Sequence, residues 1–173
     1  PDCSYGVGKQ YWKAGVTDAC YQDINTTNFT LTIIGDLINT LVSPLGIEVL
    51  RGENVTIRTN LTDECGLIIN DAFVNLTTQS IQTSRVFACS PIYNEGTGYY
   101  NCTFNTSYPT LMPTQGYNTI INSSREYYNL NLTIEPFVLG SRSFWIETKP
   151  ILSEPNVTPT IGGWGEKFYF SVN

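Results

Sequence analysis

The sequence predicts an all-β sandwich, and three of its features lead to that class. Short apolar segments with period-two alternation recur along the 173 residues, and turn residues separate them. β-branched and aromatic residues dominate these segments, as is typical of strands that face a core on one side. Helix signals are nearly absent, since only residues 35–42 resemble a short helix. Short strands at regular spacing are typical of sandwiches.

The strands can be placed in order along the chain. Residues 29–34 alternate with period two, and residues 54–62 place Val55, Ile57 and Leu61 on one face. The remaining predicted strands are 72–78, 81–88, 99–104, 117–122, 127–134, 143–148 and 167–172. Turn residues separate them at 51–53, 63–66, 94–98 and 162–163. With 41% hydrophobic and 13% aromatic residues, the chain can bury a substantial core.

Asparagine is concentrated in N-x-S/T sequons. Ten of the sixteen asparagines occupy a sequon, against about three expected from the share of Ser and Thr in the chain. The ten are Asn25, Asn28, Asn54, Asn60, Asn75, Asn101, Asn105, Asn122, Asn131 and Asn156. N-glycosylation occurs on exported chains and attaches a bulky, solvating group. The sequence therefore predicts an extracellular glycoprotein of the cell surface.

The sequons agree with the predicted strands. In a strand, the Asn and Thr of N-x-T lie on one face while the residue x points to the other. Seven of the ten sequons have an apolar x, namely Phe29, Val55, Leu61, Leu76, Cys102, Leu132 and Val157. This pattern predicts half-buried strands whose outer faces carry sugar. The alternative is that Asn and Thr are simply suitable residues for the solvent face of a strand.

Composition argues against several classes of function. The chain has no histidine, which excludes histidine-containing catalytic triads and His-ligated zinc sites. Its fifteen acids show no recognisable catalytic pair, so we expect no enzymatic activity and no catalytic residues. The net charge of −6 and the nine scattered cations disfavour nucleic acid and anionic membranes as partners. The longest apolar stretch, 31–45, is interrupted by polar residues, so no membrane insertion is expected.

Five cysteines in an exported chain should be mostly paired. The preferred scheme pairs Cys3 with Cys20, around a Gly- and Tyr-rich stretch, and Cys89 with Cys102, on two consecutive strands. Cys65 is then left over, either buried and inert or paired with another chain. A competing scheme pairs Cys65 with Cys102 and leaves Cys89 free. No CxxC motif is present, so no metal site is predicted from the cysteines.

The C-terminal region has two parts. Residues 150–160 contain three prolines and resemble a linker. Residues 161–173 hold a strand with no partner after it in the sequence, and its apolar residues are Phe168, Tyr169, Phe170 and Val172. An unpaired apolar edge strand favours pairing with another chain. The alternative is that this strand folds back onto its own sandwich.

Four segments resemble the Ig-like modules of large archaeal surface proteins. They are R-G-E-N-V-T at 51–56, D-E-C-G at 63–66, D-A-F-V at 71–74 and G-Y-Y-N-C-T at 98–103. The resemblance covers about residues 29–173 and implies an Ig-like sandwich at 29–149, followed by the start of a next module. Residues 1–28 would then be a disulfide-closed N-terminal cap or the tail of a preceding module. The family implies surface-layer, adhesive or filamentous roles, and it supplies no catalytic residues.

These features lead to a structural hypothesis with alternatives. The leading hypothesis is a glycosylated subunit or repeat of an archaeal cell-surface filament or surface layer. Its partners would be copies of itself or neighbouring modules, joined by strand exchange or end-to-end contacts. The main alternative is an adhesin that binds carbohydrate or protein through the Tyr-rich loops 93–100 and 108–117. A viral envelope domain would share the glycans and disulfides, but no fusion-peptide-like run is visible.

No cofactor is expected beyond N-linked glycans, with calcium as an alternative. Asp63, Glu64 and Asp71 lie near one predicted turn, and hard cations bind clustered oxygen ligands. Acidic turn residues are more often simply solvated. Nothing in the chain approaches a D-x-D-x-D-G loop.

Overall fold

The structure, a computed structural model, describes residues 3–136 and 141–172. Within these residues the chain contains seventeen β-strands and no helix. Residues 1, 2, 137–140 and 173 belong to the predicted cap, sandwich and terminal segment, and they lie outside the described residues.

The strands are short and follow one another closely along the chain. In order they are β1 (Gly8–Trp12), β2 (Gly15–Asp18), β3 (Tyr21–Asn25), β4 (Phe29–Ile33), β5 (Gly35–Ser43), β6 (Ile47–Leu50), β7 (Asn54–Asp63), β8 (Phe73–Ser80), β9 (Val86–Cys89), β10 (Tyr93–Asn94), β11 (Tyr99–Asn105), β12 (Gly116–Ser124), β13 (Tyr128–Asn129), β14 (Asn131–Glu135), β15 (Phe144–Glu147), β16 (Asn156–Thr158) and β17 (Tyr169–Ser171).

Two sheets form a sandwich. One has five strands in the order β10-β11-β7-β5-β13, and the other has six: β6-β15-β12-β8-β9, with β14 also paired to β12. Neighbouring strands are antiparallel, except that β13 runs parallel to β5 and β15 parallel to β6. Burial alternates along β7, as expected for a strand with one face on the core and one towards solvent. The predicted all-β, Ig-like sandwich with disulfides and terminal extensions is confirmed.

The larger part of the core lies between the two sheets. Leu61 from β7, Leu76 from β8 and Ile121 from β12 are all fully buried in one cluster. The Cys89–Cys102 disulfide belongs to the same cluster and joins β9 to β11, so it links the six-stranded sheet to the five-stranded sheet. Burial of this apolar surface is the main force that holds the sheets together.

A second core cluster is centred on two aromatic rings. Tyr117 of β12 stacks on Phe144 of β15, with ring centroids 5.1 Å apart, and both side chains are fully buried. The Tyr117 hydroxyl donates to the carbonyl of Pro113 at 2.8 Å, so the polar end of the buried ring has a partner. Burial raises the pKa of Tyr117.

The short helix predicted at 35–42 is wrong, because these residues form β5. Leu37 and Leu41 face the core, whereas Ile38 between them is 43% exposed on the outer face. An apolar residue on each face mimics helical spacing in the sequence. β-branched residues such as Ile38 and Thr40 prefer a strand, and the pairing of β5 with β7 settles the conformation.

Two other strand predictions need correction. The strand predicted at 81–88 begins only at residue 86, because the preceding residues form a turn in which Ser80 Oγ accepts a hydrogen bond from Thr83 N at 3.0 Å. The strand predicted at 127–134 is divided into β13 and β14, which pair with different sheets. The other predicted strands correspond to β4, β7, β8, β11, β12, β15 and β17, with ends shifted by at most two residues.

Two-stranded sheets occupy both ends of the chain. β1 pairs with β4, β2 pairs with β3, and β16 pairs with β17, all antiparallel. The stretch between Cys3 and Cys20, for which no clear strand was predicted, therefore contains β1 and β2. The final strand has no partner after it in the sequence, as expected, but it pairs backwards with β16 from the predicted linker.

Candidate glycan-bearing faces and assembly segments

The ten sequon asparagines all reach the surface. None of them is buried, whereas Asn39, which is not in a sequon, is only 7% exposed. The exposed ones are Asn25, Asn28, Asn54, Asn75 and Asn156, and the partly exposed ones are Asn60, Asn101, Asn105, Asn122 and Asn131. A surface position is what an N-glycosylation acceptor requires.

The apolar residue at the centre of a sequon points inward in the strands of the sandwich. Val55, Leu61, Leu76 and Cys102 are all buried. Phe29 and Leu132 are instead 44% and 58% exposed, and Val157 of β16 is partly exposed. The two exceptions have different causes: β4 lies outside the two sandwich sheets, and β14 turns its sequon asparagine rather than Leu132 towards β5.

The outer face of the five-stranded sheet carries four sequon asparagines on β7 and β11, namely Asn54, Asn60, Asn101 and Asn105. Asn54 lies directly opposite Asn105. The Asn105 side-chain amide donates to Asn54 Oδ1 at 3.0 Å and to the Gly52 carbonyl at 2.6 Å. The side-chain nitrogen of Asn105, to which a glycan would be attached, is therefore engaged in hydrogen bonds within the protein.

A charged pair lies among these sequons. Arg58 donates to the two oxygens of Glu95 at 2.9 and 2.7 Å, and its guanidinium lies 3.9 Å from the centroid of the Tyr99 ring. Asn101 donates to the same carboxylate at 2.7 Å. The hydrogen bond from Arg58 and then that from Asn101 lower the pKa of Glu95 to about 2. The pair covers Tyr99 and engages the Asn101 amide.

The outer face of the six-stranded sheet carries exposed apolar side chains, whereas the outer face of the five-stranded sheet carries the Arg58–Glu95 pair. Asn75 on β8 and Asn122 on β12 lie directly opposite each other in its centre. Phe73, Leu132 and Ile134 on this face are 72%, 58% and 43% exposed. Neither Asn75 nor Asn122 makes a side-chain hydrogen bond with the described residues. Both side-chain amides, to which glycans would be attached, are therefore not engaged by the described residues.

The Asn131 side chain points towards the other sheet, unlike the sequon asparagines on the outer faces. Its amide donates to the carbonyl of Leu37 in β5. Buried Asn39 of β5 in turn donates to the Asn131 carbonyl at 3.4 Å and to Thr133 Oγ1 at 3.3 Å. These hydrogen bonds fasten the edge strand β14 to β5, and they engage the nitrogen to which a glycan would be attached.

The disulfides differ from the preferred scheme in one pair. Cys89 is joined to Cys102, but Cys3 is joined to Cys65, and their Cα atoms lie 5.9 Å apart. The predicted Cys3–Cys20 pair is therefore wrong, and Cys20 has a free, exposed thiol. The competing Cys65–Cys102 pair is not formed either.

Strand pairing explains why Cys3 reaches Cys65. The antiparallel pairing of β1 with β4 sets Gly8 opposite Ile33, where β5 is about to begin. The pairing of β5 with β7 then sets Leu37 opposite Asp63 at the end of β7. The residues before β1 are thereby brought to the turn after β7. Cys20 lies instead in the turn between β2 and β3 and makes no such approach.

Both ends of the chain are solvent-exposed over long stretches. Every residue from 11 to 32 is exposed, and so is every residue from 160 to 172. In the C-terminal stretch, the apolar residues of the predicted assembly strand are Phe168 at 41%, Tyr169 at 70%, Phe170 at 82% and Val172 at 54% exposure. Contiguous exposed apolar side chains are typical of surfaces that meet a partner.

The tyrosines of the two predicted binding loops are divided between core and surface. Tyr100 and Tyr117 are buried, and the Tyr100 hydroxyl donates to the Ile69 carbonyl at 3.2 Å. Tyr93 and Tyr108 are 58% and 77% exposed. Tyr108 borders a groove of about 280 Å³ that Phe87 also lines. The loops therefore offer two exposed rings rather than a continuous tyrosine surface.

The acids proposed for calcium each have a partner in the protein. Asp63 accepts hydrogen bonds from Cys65 N at 2.9 Å and from Leu67 N at 2.8 Å. Glu64 accepts one from the Asp36 amide at 2.7 Å. Asp71 is paired with a surface arginine at 2.7 Å. Among the described residues, no three acids or cysteines lie together in a group that could hold a metal ion.

The described residues include no helix of the length and apolar character that a membrane crossing requires. The two packed sheets and the two disulfides define the class of the chain as an all-β, Ig-like sandwich.

Comparisons with known proteins add little detail. No protein-family model matches the chain, and no curated protein matches it. A titin and obscurin-like 1 Ig mutant complex is similar with a TM-score of 0.40 and 9% identity, over 68% of this chain and 99% of that chain. Domains 4 and 5 of the S-layer protein SbsC are similar with a TM-score of 0.38 and 17% identity, over 79% of this chain and 65% of that chain.

Proposed function

We propose that the chain is an extracellular, non-enzymatic structural glycoprotein. It acts as an Ig-like subunit or repeat of a cell-surface filament or surface layer, and it assembles with copies of itself or with neighbouring modules. The joining contacts are end-to-end contacts or exchanged strands. We infer an archaeal source from the resemblance of its sequence motifs. The glycans are its only non-protein component, and they cover the outer faces of the sandwich.

The observation that carries this proposal is the contrast between the sandwich and its ends. The sandwich has a closed core and a disulfide between its sheets. The stretches 11–32 and 160–172 expose apolar side chains along their whole length, including Tyr21 at 78% and Phe170 at 82%. A short two-stranded sheet is marginally stable alone and gains stability when a further strand or surface covers it. The ends are thus suited to joining one subunit to the next.

Substitution of one exposed aromatic in β17 tests the proposal. Phe170→Asp places a charge in the proposed contact, while Tyr108→Asp changes an equally exposed aromatic away from both ends. Burial of a Phe contributes about 1.5–3 kcal/mol. We therefore expect Phe170→Asp to raise the dissociation constant of self-association by about tenfold to a hundredfold, and Tyr108→Asp to leave it unchanged. Sedimentation velocity over a concentration series measures both.

An outcome in which the parent chain stays monomeric at every concentration would contradict the proposal. Equal weakening by both substitutions would contradict the role of β17 in particular, since it would indicate a general effect of added charge.

A recognition module is the second candidate, and the exposed ring of Tyr108 beside its groove favours it. Rigid aromatic side chains give large contact area at low entropic cost. The Tyr108→Asp variant separates the two functions. Loss of binding to cells or glycans with assembly intact would favour an adhesin, and loss of neither would argue against this candidate.

A further inference from the structure

The outer face of the six-stranded sheet brings one aromatic ring next to an open sequon. Phe73, Asn75 and Thr77 alternate along β8, so their side chains share the outer face. Adjacent residues on one face of a strand are about 6.8 Å apart. Phe73 is 72% exposed, and no aromatic or arginine side chain among residues 3–136 and 141–172 stacks on its ring. An uncovered ring thus lies within reach of the first sugar on Asn75.

The surface around Asn75 fits a sugar in shape and polarity. Phe73 and Asn75 both line an open groove of about 520 Å³, together with Ala88, Ser90 and Asn94. A volume of this size lies within the range of small-ligand sites. A pyranose ring has a face of C–H groups, which packs against an aromatic ring, and an edge of hydroxyls, which needs polar partners. Phe73 offers the first kind of surface, and Ser90 offers the second, whereas the Asn94 amide is already engaged by the Asn70 carbonyl and the Gly96 amide.

The position of the sequons determines which occupant this face can accept. Asn75 and Asn122 lie opposite each other in the middle of the face, with Leu132 beside Asn122. A protein partner that packed flat on Phe73 and Leu132 would meet both sugars first. The attached glycan itself is the occupant that the arrangement favours, because it begins within the apolar patch.

We propose that Asn75 carries an N-linked glycan whose first sugar packs on the ring of Phe73 and shields this apolar face from solvent. The inference rests on the proposed glycoprotein and adds a defined site and contact to it. One other sandwich sequon has an aromatic residue two positions before its asparagine, but there the ring is already covered. Tyr99 precedes Asn101 by two residues, but Arg58 already covers its ring at 3.9 Å and Glu95 holds the Asn101 amide.

A double-mutant cycle on the full chain tests the contact. The parent, Phe73→Ala, Asn75→Gln and the double variant are produced in a host that N-glycosylates, and glycopeptide mass spectrometry measures the occupancy of each sequon. We expect Phe73→Ala to lower the thermal midpoint by about 2–4 °C when Asn75 carries sugar. In the Asn75→Gln background, the same substitution should lower it by less than about 1 °C.

Two control variants make the result specific. Phe73→Tyr keeps the aromatic ring and should restore the midpoint of the glycosylated parent, whereas a general effect of surface polarity would not restore it. Asn156→Gln removes a sequon with no aromatic residue two positions earlier, and it should not change the effect of Phe73→Ala.

The outcomes separate this inference from the proposed function. Sugar on Asn54 but none on Asn75 would overturn the inference and leave the glycoprotein proposal standing. Sugar on no sequon would overturn both. An equal loss from Phe73→Ala with and without the Asn75 sugar would show that the ring acts without the glycan, and this would overturn the contact.

Discussion

Asn39 shows how a single buried polar side chain can fix an edge strand. Its amide donates to backbone and side-chain oxygens of β12 and β14, and its Oδ1 accepts a hydrogen bond from fully buried Ser123 at 2.7 Å. The sequence gives no sign of this role, because an Asn outside a sequon in an apolar segment looks like an interruption. The role depends on long-range strand pairing, which local spacing does not reveal.

We expect Asn39→Ala to lower the free energy of unfolding by about 2–3 kcal/mol. The substitution leaves the fully buried Ser123 hydroxyl without its acceptor and removes the hydrogen bonds to Ile121 O and Thr133 Oγ1, and an unpaired buried polar group is costly. Asn129→Ala is the matched control, because it removes an exposed hydrogen bond to Asp36 at 2.7 Å and should cost less than about 1 kcal/mol. Denaturant unfolding measures both, and equal losses would contradict the role given to Asn39.

The Glu95 carboxylate makes stability depend on pH in the acid range. Its pKa of about 2 in the folded chain lies below the usual value near 4.5. The ionised form therefore stabilises the fold fully above pH about 4.5, and this contribution is lost as the pH falls towards 2. Glu95→Gln should thus flatten the fall in stability between these pH values. Unfolding midpoints at pH 7 and pH 2.5 check this, and an unchanged pH dependence would contradict it.

At the scale of elements, period-two alternation predicted the strands that line the core. β7 and β11 were predicted to within about two residues because each buries one face only. Alternation failed where apolar residues occur on both faces, as in β5, or where a chain segment leaves one sheet for the other, as between β13 and β14. Sheet membership is a tertiary property, and local pattern does not encode it.

Sequon exposure was predictable from the same alternation, whereas the direction of the Asn131 side chain depends on sheet pairing. An Asn before an inward residue such as Val55 must point outward. Asn131 turns towards β5 because the pairing of β14 with β12 sets it opposite buried Ser123. The pairing of β1 with β4, which brings Cys3 to Cys65, is likewise long-range. The preferred disulfide scheme rested on the Gly- and Tyr-rich stretch between Cys3 and Cys20, which showed no strand pattern in the sequence.

The disulfide assignment predicts a simple chemical result. The native chain should react with one equivalent of a thiol reagent, and peptide mapping should place the label on Cys20, because that thiol is exposed and the other four cysteines are paired. Cys20→Ser should abolish labelling without loss of stability. Loss of the Cys89–Cys102 disulfide should instead lower the free energy of unfolding by about 3 kcal/mol. A peptide with Cys3 linked to Cys20 would contradict the assignment.

At the scale of the whole molecule, the chain is a closed sandwich with exposed ends. Its core is complete between two sheets, and its outer faces carry sequons. Thirteen exposed large apolar side chains lie in 11–32 and 160–172, and every residue of these two stretches is exposed. Composition and sequon count predicted a surface glycoprotein. They did not predict the β16–β17 hairpin, because its strands are three residues long and one of them lies in a proline-rich segment.

Electron cryo-microscopy of the chain purified from the cells that make it is the most direct test of the central claim. The account predicts a polymer in which residues 11–32 or 160–172 of one copy are covered by the next, with glycan density on the outer faces of the sandwich. Separate particles with both stretches exposed to solvent would contradict it.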